Sequence, residues 1–227
     1  MKRFMAAGAV SIAISLSMHA DNAATETTIP SPWVATNGAV IDFTVLRKGK
    51  PFGSHILTFE KQDDDFLKVT TDVDLDVKFG PITAFKYRLD SVENWANERL
   101  VGLNGKSNNN GKKGKVAATA TRDMLIVDAS KFEGEVPTTI IPSSHWNRLQ
   151  MYQDRMISTE TGELLDIDVE TIGADTVMVG GVPVEATHYR LKSDITVDLW
   201  YDDQSRWVKL KFEAQGQEIE YVLNELF

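Results

Sequence analysis

From Gly38 onward, apolar and polar residues alternate with a period of two. Val69, Val73, Leu75, Val77 and Phe79 alternate with Thr70, Asp72, Asp74, Asp76 and Lys78; Leu165, Ile167, Val169 and Thr171 alternate with Asp166, Asp168 and Glu170. A chain with this period has one face to bury and one to wet on each strand, and it cannot build amphipathic helices from the same residues. Gly49-Lys50-Pro51, Gly80-Pro81, Asn110-Gly111, Gly180-Gly181 and Asp202-Asp203 punctuate the runs as turns. Roughly twelve strands result, with a single short helical turn around Ser143 to Leu149. Sequential antiparallel strands without helices predict an all-β meander that forms an open or closed β-barrel or spiral, soluble and with few bare edges.

The pattern is most specific near the carboxyl end. A loop over 202–205 sets Tyr201 opposite Arg206, Leu199 beside Val208, Val197 beside Leu210 and Ile195 beside Phe212. On the other face this register sets Asp198 opposite Lys209 and Trp200 opposite Trp207, so the tryptophan pair is expected to project outward. Either the pair makes contact with a partner, or another segment covers it, with Trp33 as an available lid.

The amino end follows a different logic. Lys2 and Arg3 precede a run of fifteen uncharged residues, Phe4 to Met18, and small residues follow at Ala20, Ala23 and Ala24. The run is shorter than the roughly 20 apolar residues that span a bilayer, which predicts a secretory signal peptide over 1–20, cleaved between 20 and 24, and a periplasmic location. Residues 21–37 carry two prolines and no period, a leader or arm pinned by Trp33, and 38–227 is expected to be a single β-rich domain.

Composition narrows function by exclusion. With 42% hydrophobic residues the chain is no disordered segment. It has no cysteine, which removes disulfides, thiolate metal sites and cysteine nucleophiles. The net charge is −9, and loss of Lys2 and Arg3 with the signal segment leaves 22 bases against 33 acids, a net −11. That balance argues against nucleic acid as a partner. The nucleophile elbow, the phosphate-binding loop and the dinucleotide fingerprint are absent from the sequence, and no cofactor is expected. His55, His145 and His188 are too dispersed for a zinc site, and the Asp72-Asp74-Asp76 ladder, with side chains about 7 Å apart, cannot alone supply the oxygens calcium needs. No metal is therefore expected. His145 reads as a turn or hydrogen-bonded structural histidine. The Asn/Gly-rich stretch Gly102 to Lys115 reads as a solvated basic hairpin tip. Trp95 and Trp146 fall near strand ends or turns, where they find partners for their indole N–H groups or rim a cavity mouth.

Glu93-Asn94-Trp95, Asn110-Gly111-Lys112, Ser144-His145-Trp146-Asn147, Thr161-Gly162-Glu163 and Asp198-Leu199-Trp200-Tyr201 occur in this order. The set resembles an uncharacterised family of exported bacterial β-rich proteins, a domain of unknown function, over about Asp42 to Tyr221. The resemblance implies a signal peptide, a β-rich domain and an envelope location, and it brings no catalytic residues. By analogy alone, the fold is similar to the open barrels of periplasmic lipid or lipoprotein carriers.

The function expected from these features is that of an exported, non-enzymatic periplasmic protein. It binds an apolar or amphipathic ligand, such as a lipid, in its interior, or an envelope protein in envelope maintenance. Trp95, His145, Trp146, Trp200 and Trp207 are the candidate contact residues. One alternative is a hydrolase of envelope polysaccharide or peptide built on His145 and nearby carboxylates. Another is an outer-membrane β-barrel, suggested by the alternation of Ile219, Tyr221 and Leu223 before the final Phe227. Nothing in the sequence sets an oligomeric state.

Overall fold

A computed structural model describes residues 31–62, 65–79 and 82–227. The expected signal segment lies outside the described residues.

Eight strands run consecutively from the amino side: β1 (Val40–Arg47), β2 (Lys50–Lys61), β3 (Phe66–Phe79), β4 (Ile82–Ala96), β5 (Arg99–Asn109), β6 (Lys112–Thr121), β7 (Met124–Ala129) and β8 (Glu133–Pro137). The chain then makes an excursion through β9 (Ile141–Pro142), a 3-10 helix (Arg148–Tyr152), β10 (Arg155–Ile157) and β11 (Leu164–Asp166), which form a small separate sheet around the helix. It returns through β12 (Asp168–Val179), β13 (Val182–Lys192), β14 (Thr196–Asp202), β15 (Trp207–Ala214) and β16 (Gln217–Leu223). Thirteen strands form one antiparallel sheet in the order β12-β13-β14-β15-β16-β1-β2-β3-β4-β5-β6-β7-β8. The first and last strands of the meander pair with each other, Phe43 with Leu223 through Arg47 with Ile219, so the free edges are β8 and β12. The barrel is open.

Alternation sets the two faces. Ile41, Phe43 and Val45 of β1, Leu57 and Phe59 of β2 and Val69, Val73 and Leu75 of β3 are buried inward. Each such side chain contributes on the order of 1.5–3 kcal/mol. On the outer face Arg88 of β4 bridges Asp74 at 2.6 Å and Asp76 at 3.2 Å. This face of the described strands therefore carries ion pairs in mid-strand where a lipid-facing surface would be an apolar band.

The excursion fills the inside. Ser107 Oγ donates to the Glu160 carbonyl at 3.1 Å, and Lys131 N donates to the Thr161 carbonyl at 3.0 Å. Glycines make room for it: a Cβ on Gly105 would lie 2.2 Å from the Thr159 carbonyl oxygen, and one on Gly114 would lie 2.5 Å from that of Glu160. The expected ligand-holding interior is therefore occupied by the chain's own residues. This also corrects the reading of Gly102 to Lys115 as a loop tip. It is a hairpin, but most of it is the paired strands β5 and β6, and two of its glycines, Gly105 and Gly114, stand where the backbone of the excursion lies against them.

Three further expectations change. The run Leu165 to Thr171 is two strands, because the Ile167 amide donates to the Asp154 carbonyl at 2.9 Å and turns the chain. The helical turn falls at Arg148–Tyr152, later than expected, where the Asn147 side chain caps the Leu149 amide. The carboxyl-terminal hairpin keeps its faces but shifts register by two: Asp198 opposes Lys211, Leu199 opposes Leu210 and Trp200 opposes Lys209. A bulge then sets Tyr201 opposite Trp207 and turns Trp207 inward, where it is fully buried.

Trp200 alone faces outward, and it is covered. β12 and β15 are three places apart in the sheet, about 14 Å along a flat ladder, yet β12 touches both β15 and β16. The β12–β13 hairpin therefore curls over the outer face of the strands beside it. Asp175 of β12 accepts the Trp200 indole N–H at 2.8 Å, and Val177 and Val179 are buried. The Trp200 ring stacks on His188 at 4.2 Å and 9°, with Lys209 Nζ 5.2 Å from its centroid. The cover is this hairpin, not Trp33.

Candidate functional site

β4 presents Tyr87, Leu89, Ser91, Glu93 and Trp95 to the interior at every second position. The acid in this series is fully buried. Glu93 Oε2 accepts two indole N–H groups, from Trp95 at 2.9 Å and from Trp146 at 3.1 Å. Oε1 is buried without a partner in good hydrogen-bond geometry, and the Ser144 hydroxyl is the remaining polar neighbour of the carboxyl group. Burial raises the Glu93 pKa above its ordinary value, and the Ser144, Trp146 and Trp95 donors offset this only in part. The two indoles meet edge-on at 5.5 Å, and Trp146 meets Phe59 in the same way at 5.4 Å. One buried carboxyl group thus ties the excursion to the barrel wall and fixes both tryptophans.

The other side of these tryptophans faces a cleft. It has a volume of about 440 Å³ and lies at the barrel end that carries the β2–β3 and β4–β5 turns. Trp33, Phe66, Leu67, Trp95, Trp146 and Leu149 supply its apolar lining, and Lys61, Asp65 and Glu98 supply its charges. The arm before β1 forms one wall: Trp33 packs edge-on against Phe59 at 4.9 Å and Phe227 at 4.7 Å, and Ser205 Oγ donates to the Ser31 carbonyl at 2.7 Å. At this end Val34, on the cleft wall, is exposed (73%), and so are Met178 (56%), Val182 (58%) and Leu226 (40%) beyond it. The Gly180 amide lies 3.4 Å from the Leu223 carbonyl, which sets the β12–β13 turn beside the carboxyl-terminal segment.

His145 lies on the inner side. It has φ +65°, its Nδ1 is 3.0 Å from Gln150 Oε1, and its carbonyl accepts the Tyr201 hydroxyl at 2.7 Å. Tyr201 also accepts Gln150 Nε2 at 2.6 Å. Burial brings the His145 pKa down to about 4. His55 packs near it among Phe43, Trp207 and Tyr221, and neither ring nitrogen has a hydrogen-bond partner among the described residues. Burial first, then repulsion from His145, lowers its pKa to about 3. Neutral in the fold and ordinary when unfolded, His55 withdraws stability as the pH falls from 6.5 toward about 3, because the unfolded chain takes up the proton first. His55→Phe should lower the slope of unfolding free energy against pH in that window by up to about 1 kcal/mol per pH unit. Equal slopes in wild type and variant would contradict this assignment.

A second polar node joins the 3-10 helix to the arm. Arg148, 8% exposed, donates to the Tyr189 hydroxyl, to Ser205 Oγ and to the Asp202 carbonyl.

Of the five residues singled out from sequence, the structure brings Trp95 and Trp146 together at the cleft. His145 and Trp207 meet inside, their rings 5.7 Å apart, and Trp200 stands apart under the β12–β13 hairpin. The hydrolase reading required an acid within reach of His145, but its side-chain partner is the neutral Gln150. The histidine that does meet a carboxylate is His188, 3.0 Å from Asp198, and that carboxylate is shared with Arg190 on the outer face. Among the described residues no three His, Asp or Glu side chains converge as a metal site. Sequence reasoning missed Glu93 and Arg148. Glu93 carried a usable signal, an acid in phase with the buried series of its strand; Arg148 carried none.

An open antiparallel barrel plugged by its own excursion, with an apolar cleft at one end, defines the class. The chain belongs to the family described as a domain of unknown function (DUF6134), which matches residues 43–224. No curated protein matches it. Among solved structures, it is similar to a crystal structure of a beta-barrel-like protein of domain of unknown function DUF1849 from Brucella abortus. That similarity has a TM-score of 0.58 at 9% identity and covers 86% of this chain and 97% of the other. At that identity the likeness is one of fold.

Proposed function

We propose that this is an exported, non-enzymatic binding protein of the periplasm that takes an apolar or amphipathic group at the barrel end, in the cleft between the arm and the Trp95–Trp146 pair. The carrying observation is the cleft itself: apolar walls set by two indoles whose N–H groups are already satisfied behind them, with further exposed apolar side chains at the same barrel end. Export rests on the basic start and the uncharged run at the amino end. A role in envelope maintenance follows from those two properties together.

The test is titration of the purified mature chain with an uncharged pyrenyl alcohol, read by energy transfer from tryptophan. Binding is expected, and Leu149→Asp should weaken it at least about tenfold by setting a charge in the apolar wall. No binding, or binding indifferent to Leu149→Asp, would overturn the reading. Mass spectrometry of natively purified protein identifies the natural occupant.

A further inference from the structure

Among the described residues, Arg148 is a buried cation hydrogen-bonded only to neutral groups. Nη1 donates to Ser205 Oγ at 3.3 Å and to the Asp202 carbonyl at 3.5 Å, and Nη2 donates to the Tyr189 hydroxyl at 2.6 Å. The guanidinium carbon lies 5.4 Å from the Tyr189 ring centroid and 6.0 Å from that of Tyr201. The nearby carboxylate of Asp202 is engaged elsewhere, by Arg206 Nε at 2.6 Å and by the amides of Gln204 and Arg206. Nε is buried and has no hydrogen-bond partner among the described residues. Nε and Nη2 share one edge of the guanidinium plane, the edge that takes two oxygens of a carboxylate or phosphate side by side, and Nη2 has a second hydrogen to give. Buried charges in proteins are normally paired, so this edge lacks its natural complement.

Arg148 does not itself line the cleft, but the chain on either side of it does. Its neighbours Asn147 and Leu149 line the cleft, and so does Pro32, the residue after Ser31. Ser31 rests on Ser205, which in turn holds Arg148. We propose that Arg148 is the anion-recognition group of the binding site, its Nε/Nη2 edge taking the carboxylate or phosphate head of an amphipathic ligand whose apolar part lies in the cleft. This deepens the cleft reading above and rests on it. The head reaches Arg148 from beneath the arm, so binding breaks the Ser205–Ser31 hydrogen bond.

The experiment compares decanoate, decyl phosphate and decanol, each displacing the pyrenyl alcohol from the mature chain at pH 8. One of the two acids should bind at least about tenfold tighter than decanol, and the tighter one identifies the head group. Arg148→Gln should bring the acid-to-alcohol ratio close to one. Arg148→Met, which replaces the charge by an apolar chain of similar length, should do the same if the glutamine variant fails to fold. Equal binding of acid and alcohol by wild type, or a ratio unchanged in the folded variant, overturns the assignment of Arg148 and leaves the cleft intact. Failure of all three compounds to bind overturns both.

Discussion

Glu93→Ala is expected to destabilise the protein by about 3–5 kcal/mol, measured by denaturant unfolding of the purified chain. The alanine leaves the Trp95 and Trp146 indole N–H groups buried with no acceptor, and it opens a void where the carboxyl group stood. Glu93→Gln separates charge from hydrogen bonding. Its carbonyl oxygen can accept both indoles and its amide can donate toward Ser144, so a change within about 1 kcal/mol is expected. The pH dependence carries the sign. A carboxyl group whose pKa is raised in the fold contributes stability that is full below its unfolded pKa and is lost as pH rises through the folded one. Wild type should therefore lose stability relative to Glu93→Gln as the pH is raised through that range. A parallel pair of curves, or a mild alanine variant, would show that the carboxyl group does not tie the excursion to the wall.

Gly105→Val should be the most damaging single change in β5. Any Cβ at this position meets the Thr159 carbonyl oxygen at 2.2 Å and Val116 Cγ1 at 2.8 Å. Both obstacles are held, one by backbone and one by a buried side chain, so the excursion must leave the wall. Overpacking of this kind costs on the order of 1–3 kcal/mol where repacking is possible; against rigid backbone, about 3 kcal/mol or failure to fold is expected. Hydrogen exchange should show the effect first at the Gly162 and Ser158 amides, which are bonded within the excursion to Ser158 and Glu163. A variant as stable as wild type, with unchanged protection there, would contradict the filled interior.

The sequence made the sheet legible because burial on one face leaves a period that no other element shares. Val73 and Leu75 read correctly as inward and Asp72, Asp74 and Asp76 as outward for that reason alone. The hairpin register failed in two steps: the connection is one residue longer than expected, with Tyr201 opposite Trp207, and a bulge follows directly. An extra residue at Val208 inverts the face of Trp207 while leaving every apolar match plausible, and nothing local in the sequence marks it. Gly105 and Gly114 looked like loop residues because composition cannot distinguish a glycine that bends from one that makes room. The excursion over 138–167 has almost no period to read, and its contacts are with strands distant in sequence. Ser144 and Trp146 are set against Glu93 by the packing of the excursion inside the barrel, so the site became visible only once β4 and the excursion lay side by side.

The most direct test of the account is to locate a bound apolar group. A decanol carrying an aliphatic diazirine, photolysed on the mature protein and mapped by mass spectrometry, should label the cleft residues Val34, Phe66, Leu67 and Leu149. Label on Leu57, Val73 and Leu89, which face the interior, would show that the barrel admits its ligand after all and that the excursion is not a permanent filling.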